Sequence, residues 1–115
     1  MLSAGALSQT RFLVEGLQVN EKKMRANLDI TNGLIMSEAV MMGLGAKMGR
    51  NRAHDVVYDV CREVVKTGRP LLELLEENKE ISKHADGKML AKLVDPANYL
   101  GVAGEMVDRV LKMRK

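Results

Sequence analysis

The sequence predicts an all-α protein, on three observations. Apolar residues recur at steps of three and four through almost all of its 115 residues. No stretch alternates apolar and polar residues between hairpin turn signals. The segment boundaries carry Asn, Asp, Gly and Pro where helices start and stop. A composition of 46% hydrophobic and 29% charged residues with two prolines is that of a folded chain rather than a disordered one.

The first predicted helix runs from Ser3 to Glu15, with Ala6, Leu7, Leu13 and Val14 at helical intervals, and is expected to stop at Gly16 in the left-handed conformation. Asn20 caps a short second helix from Glu21 to Leu28, for which Leu17, Val19, Met24 and Leu28 are the expected core contacts. The segment Gly33 to Leu44 is apolar on nearly every side. A helix there is expected to be surrounded by protein and capped by Thr31 or Asn32. Met36, Met41, Met42 and Met48, at or beside it, read as packing residues that fill gaps between helices, not as a cofactor site.

After a predicted turn in GLGAKMGR comes the most amphipathic segment, Asn51 to Lys66. Its Ala53, Val56, Val57, Val60, Cys61, Val64 and Val65 form a stripe that faces a core, with Cys61 as a buried, unreactive thiol. Gly68 ends this helix and Pro70 opens the next, PLLELLEEN. The polar run KEISKHADGK is expected at the surface, and Asp86 caps a further helix through Leu90 and Leu93. Asp95-Pro96 starts a single turn reaching Leu100. The last helix, from Gly104, keeps Met106, Val107, Val110 and Leu111 on one side and ends in Lys112, Arg114 and Lys115, which complement its C-terminal dipole.

Several function classes are not expected. The single Cys61 cannot pair within the chain, and no Cys/His cluster has the spacing of a structural zinc site, which suits a reducing, cytoplasmic setting. No long apolar run and no signal-peptide pattern in MLSAGALSQTR points to a membrane or to export. The 18 basic and 15 acidic residues are interspersed, and Phe12, Tyr58 and Tyr99 are the only aromatics, so nucleic-acid binding is poorly provided for.

Candidates for chemistry are few. Glu38 is the only charge in the most apolar helix; it is expected to be a paired structural carboxylate, with general base as the functional alternative. His54 shares a face with Tyr58 four residues on and has Asp55 beside it, but no nucleophile, second histidine or oxyanion loop joins it. His84 reads as a solvated loop residue. GLGAKMG lacks the spacing of either phosphate-binding glycine motif. These residues describe a small helical module without a complete active site, one that borrows its chemistry from elsewhere.

Four blocks in order carry a family resemblance: NLDITNGLIMSEAVM (Asn27 to Met41), GRNRAHDVV (Gly49 to Val57), GRPLLELL (Gly68 to Leu75), and DPANYLG followed by VDRVL (Asp95 to Leu111). From about Ala4 to Leu111 the chain resembles the C-terminal domain of the fumarase/aspartase superfamily, in the branch holding 3-carboxy-cis,cis-muconate cycloisomerase and adenylosuccinate lyase. SEAVMMGLG, AHDVVYDVCR and GEMVDRVL stand closer to the cycloisomerase. The resemblance implies that residues 1–16 end a long helix of a central bundle and that 17–115 form the helical C-terminal domain. It implies a homotetramer with sites assembled from three subunits, no metal or organic cofactor, and reversible elimination or lactonization beside a carboxylate. The superfamily's SS-x-MP-x-K-x-NP type loop with the catalytic serine is absent, as are its histidine-containing regions. No catalytic residue is therefore expected in this chain, which should be inactive alone, with Glu38 and His54 the candidates if it is not. A free-standing helical assembly module is the alternative of another class.

Overall fold

All regular structure in residues 2–114, the part of the chain that the computed structural model describes, is helical, as the periodicity predicts. Met1 and Lys115 lie outside the described residues, and with them the first residue of the expected 1–16 segment and the last charge of the expected basic terminus. In chain order the helices are α1 (Leu2–Glu15), α2 (Glu21–Leu28), α3 (Ser37–Met48), α4 (Arg50–Thr67), α5 (Leu71–Glu77), α6 (Gly87–Val94) and α7 (Ala103–Met113). Short 3-10 turns lie at Leu34–Met36, Ile81–Lys83 and Pro96–Tyr99.

Helices α3 to α6 pack in a ring: α3 lies along α4, α5 closes on α4, and α6 bridges α5 back to α3. Their shared interior holds Leu44, Leu71, Leu75, Ile81 and Leu90, all essentially out of contact with solvent. The stripe of α4 does what its spacing demands, burying Ala53, Val56, Val57, Val60 and Val64. Val65 is the exception, 73% exposed, because it sits one step round from Val64 and off the buried arc.

Several predicted caps form. Asn20 Oδ1 accepts from the Lys23 amide at 2.9 Å, Asp86 Oδ1 from that of Met89 at 2.8 Å, and Asp95 Oδ1 from that of Ala97 at 3.0 Å. Gly68 ends α4 with φ of 71°, its amide donating to the Val64 carbonyl at 2.8 Å. Other boundaries differ from expectation. Neither Thr31 nor Asn32 caps α3 with its side chain. Gly33 enters the Leu34–Met36 turn at φ 88°, and a Cβ there would meet the Leu71 Cβ at 3.3 Å. That close approach lets the Leu71 amide donate to the Asn32 carbonyl at 2.9 Å, pinning the entry to α3 against the start of α5. Gly16 lacks the positive φ expected of it. Helix α3 also runs on through the predicted turn to Met48, leaving Gly49 alone as the link to α4. Gly43 inside α3 is explained by packing: a Cβ there would lie 2.6 Å from Leu93 of α6.

Exposed ion pairs clasp the ring. Arg52 at the start of α4 holds Glu80 across 28 positions of chain with Nε to Oε1 at 2.6 Å. Arg69, in the link after α4, reaches Glu77 at the end of α5 at 2.6 and 2.9 Å and touches Glu73 at 3.4 Å. These pairs hold the carboxyls of Glu77 and Glu80 below their ordinary range, chiefly by hydrogen bonding to the guanidinium groups.

Beyond the ring the expected core contacts fail. Helices α1, α2 and α7 bury no residue. Leu17, Val19 and Met24 are 60% exposed or more, and the stripe Met106, Val107, Val110 and Leu111 faces solvent. The molecule accordingly measures 63 × 30 × 25 Å, with a radius of gyration of 20.1 Å against about 13 Å for a compact chain of this length. A stripe specifies that a face is to be covered but not by what, and for these three helices this chain supplies no cover.

Candidate functional site

The two residues singled out for chemistry meet in one hollow. It lies between the first two turns of α3, which contribute Ser37, Glu38 and Met41, and the middle of α4, which contributes His54, Val57, Tyr58 and Cys61, and it encloses about 310 Å³. Helical spacing builds both walls: Ser37 and Met41 are one turn apart, and His54, Tyr58 and Cys61 follow at steps of four and three. The floor is apolar, formed by Met41 and Val57, while carboxylate, imidazole, phenol, hydroxyl and thiol stand around it.

His54 and Tyr58 stack as the i, i+4 spacing foretells, with ring centroids 6.2 Å apart and planes within 7°. The Arg62 guanidinium continues the ladder 5.9 Å from the Tyr58 centroid. His54 Nδ1 lies 3.3 Å from Asp55 Oδ1, a contact that leaves Nε2 free of protein partners among the described residues. Both side chains are well exposed.

Glu38 corrects the sequence reading. It is exposed, and among the described residues it forms neither an ion pair nor a side-chain hydrogen bond. The reason is rotational. Val40 and Leu44 define the buried arc of α3, and Glu38 falls on the outward side with Met42, which is 57% exposed. The expectation that α3 is surrounded by protein is thus met on its inner face alone. Glu38 forms the divide between the first hollow and a wider one of about 590 Å³ lined by Ile35, Met42, Leu93 and Tyr99.

Cys61 is half-buried rather than buried. Burial pushes its thiol above the ordinary range, and a hydrogen bond with Ser37 pulls the other way without reversing the effect. A thiol held protonated is a poor nucleophile, so this environment favours a packing role. His84 is half-buried at the end of the Ile81–Lys83 turn, its amide donating to the Ile81 carbonyl at 2.9 Å, and does not reach the hollow. Among the described residues no group of three His, Cys, Asp or Glu side chains is placed to hold a metal ion. Sequence reasoning passed over Ser37; its signal was the one-turn spacing to Met41 on the wall facing Cys61.

The architecture is a ring of four helices flanked by uncovered helical arms, with polar groups collected in an open hollow and no convergent catalytic set among the described residues. It is that of the helical C-terminal domain of the fumarase/aspartase superfamily. The chain belongs to the family described as the adenylosuccinate lyase C-terminus, whose model matches residues 33–110. Trans-aconitate decarboxylase 1 of Mycosarcoma maydis is 51% identical over 109 residues, covering 95% of this chain and 22% of that protein. The 3-carboxy-cis,cis-muconate cycloisomerase of Pseudomonas aeruginosa is 44% identical over 110 residues, 96% of this chain and 24% of that protein. The crystal structure of a fumarate lyase from a Mesorhizobium species superposes with a TM-score of 0.84 at 48% identity, over 94% of this chain and 26% of that one. The chain therefore spans about a quarter of the length of the relatives it matches.

Proposed function

We propose that this chain is the C-terminal portion of a lyase-type enzyme acting on an unsaturated tricarboxylate, with lactonization of 3-carboxy-cis,cis-muconate as the leading reaction. The observation that carries the reading is the 44% identity to a cycloisomerase over nearly the whole chain, including the blocks SEAVMMGLG and AHDVVYDVCR. The 51% identity to trans-aconitate decarboxylase 1 favours a second reading, decarboxylation of trans-aconitate. The two substrates share a class: each is a carbon chain with conjugated unsaturation and three carboxylates. Adenylosuccinate cleavage is a third reading, supported by the family description.

In the lead reading a substrate carboxylate adds to the double bond, and the carbon next to another carboxylate takes up a proton. The enolate-like intermediate needs a positive, hydrogen-bonding cradle, and the hollow beside Glu38 does not offer one. Catalytic groups, a substrate cradle and any cofactor-free proton relay then belong to the rest of the enzyme, and no catalytic residue is assigned to this chain. Residues 1–16 act as the end of a central-bundle helix in a cytoplasmic homotetramer of aromatic-acid breakdown, and 17–115 as the domain packed at its end. The uncovered faces of α1 and α2 fit that role.

The test is a chimera in which this chain replaces the matching segment of the Pseudomonas aeruginosa cycloisomerase, assayed by ultraviolet absorbance on 3-carboxymuconate, trans-aconitate and adenylosuccinate beside the 115-residue chain alone. The reading expects an active chimera on carboxymuconate and an inactive isolated chain. A folded, tetrameric chimera without activity contradicts it. Activity of the isolated chain also contradicts it and returns Glu38 and His54 as the site.

A further inference from the structure

We propose that the hollow between Leu34 and the second half of α4 binds a carboxylate with an apolar body, an aromatic acid in its simplest form, and that Arg62 and Lys66 hold the anion. The inference goes beyond the proposed enzyme and does not depend on it.

This hollow lies across Tyr58 and Cys61 from the one beside Glu38, and those two residues line both. It encloses about 350 Å³, within the size range of small-molecule sites. Leu34, Tyr58, Cys61 and Val65 give it apolar walls, and Arg62 and Lys66 stand at its edge. Val65 finds its place here: the core of the ring leaves it out, and its exposed side chain lines this hollow instead.

The charges decide the ligand. Arg62 and Lys66 are the only ionic side chains of the lining, and they lie one helical turn apart on the same face of α4. Among the described residues Arg62 forms no ion pair, and Lys66 reaches Glu63 only at 3.8 Å, the longest contact of this kind. Arg62 is placed all the same. Its guanidinium lies 5.9 Å from the Tyr58 centroid, inside the distance at which a ring face attracts a cation. A guanidinium held over a ring still offers N–H donors to a partner, and their fork matches the two oxygens of a carboxylate. Lys66 adds a second positive charge beside it.

An acid can therefore rest its apolar body on Leu34 and Val65 while its carboxylate meets Arg62 and Lys66. A purely apolar ligand would leave both cations without a counter-charge, and a cationic one would be repelled by them. Across Tyr58 the preference reverses, because there the carboxylate of Glu38 repels an anion. The anion is thus directed to one of two adjoining hollows of similar size.

The test titrates naphthoate into the isotope-labelled 115-residue chain and follows the amide signals by nuclear magnetic resonance. A ligand this small should bind with a dissociation constant in the millimolar range. The largest shifts are expected at Leu34, Arg62, Val65 and Lys66, and smaller ones at Ser37 and Met41 in the adjoining hollow. Naphthamide, which has the same shape without the charge, should bind about fivefold more weakly or worse. Arg62→Gln should weaken naphthoate to a similar degree, and Arg62→Lys should recover part of the loss. Glu38→Gln, across Tyr58, should not weaken it. Arg62 is exposed, and an otherwise unchanged amide spectrum checks that its variants keep the fold. Absence of saturable shifts up to roughly 20 mM naphthoate, equal affinity for naphthamide, undiminished affinity in Arg62→Gln, or shifts centred on another part of the molecule would overturn the proposal.

Discussion

The ring of α3 to α6 and the arms α1, α2 and α7 are written in the same code and come out differently. Helices α4 and α7 are both strongly amphipathic, yet α4 buries five residues and α7 none. The difference is connectivity. Gly49 and the Gly68–Pro70 link are short and sharply turned, so they fold α3, α4 and α5 back on one another, and Asp86 and Leu93 bring α6 against them. The segments before Leu34 and after Leu100 lead away from that ring, and among the described residues their stripes meet no cover. Amphipathicity is a statement about need; burial is a statement about geometry.

The sharpest way to break this comparison is to cut equal amounts of apolar surface from each region. Leu75→Ala, in the centre of the ring, should lower unfolding stability by about 2–5 kcal/mol in urea titrations, because it leaves a cavity that the ring cannot collapse. Leu13→Ala or Val110→Ala, on the arms, should change the same unfolding transition by no more than about 0.5 kcal/mol in dilute solution. Equal losses would mean that the arms are part of one cooperative unit.

The glycines offer a second contrast. Gly43→Ala gains helix propensity worth about 1 kcal/mol but drives a methyl into the terminal methyls of half-buried Leu93, and the two effects should cancel to within about 1 kcal/mol in the urea midpoint. Gly104→Ala, in open space on α7, should raise helicity in circular dichroism and leave the urea midpoint of the ring unchanged. Removing the Asp86 cap by Asp86→Ala should cost about 1 kcal/mol and act on the ring alone.

The smallest effect concerns acid. Glu77 and Glu80 have their carboxyls lowered in the folded chain by Arg69 and Arg52. A depressed folded value means that their contribution is fully present above the ordinary carboxylate value of 4.5 and is lost as pH falls through the folded values below it. Urea midpoints measured from pH 6 down to pH 3 should therefore fall less steeply in an Arg52→Gln, Arg69→Gln double variant than in the parent, the two curves converging at the acid end. These pairs are exposed, so the difference should also shrink in high salt.

Much of this was legible in the sequence. Fold class, the stripe of α4, the Asn20, Asp86 and Asp95 caps and the stop at Gly68 all follow from local rules, which act over one or two turns. What escaped was non-local. The lack of a side chain at Gly43 is explained by Leu93, fifty positions away in the chain, and the close packing at Gly33 by Leu71. The sequence treated Glu38 as buried because its helix is apolar on nearly every side; only the position of α4 decides which side is inward. The hollow joining Glu38 to His54 likewise required α3 and α4 to be set side by side, whereas the stacking of His54 on Tyr58 within one helix was readable at once.

The most direct test of the division between ring and arms is amide hydrogen exchange, read by mass spectrometry on the 115-residue chain at a concentration where it is monomeric. Strong protection is expected in α4 and α5, close to that of global unfolding, with exchange near the unprotected rate in α1, α2 and α7. Protection of α1 and α7 equal to that of α4 in the monomer would contradict it, since those helices would then be held by this chain itself.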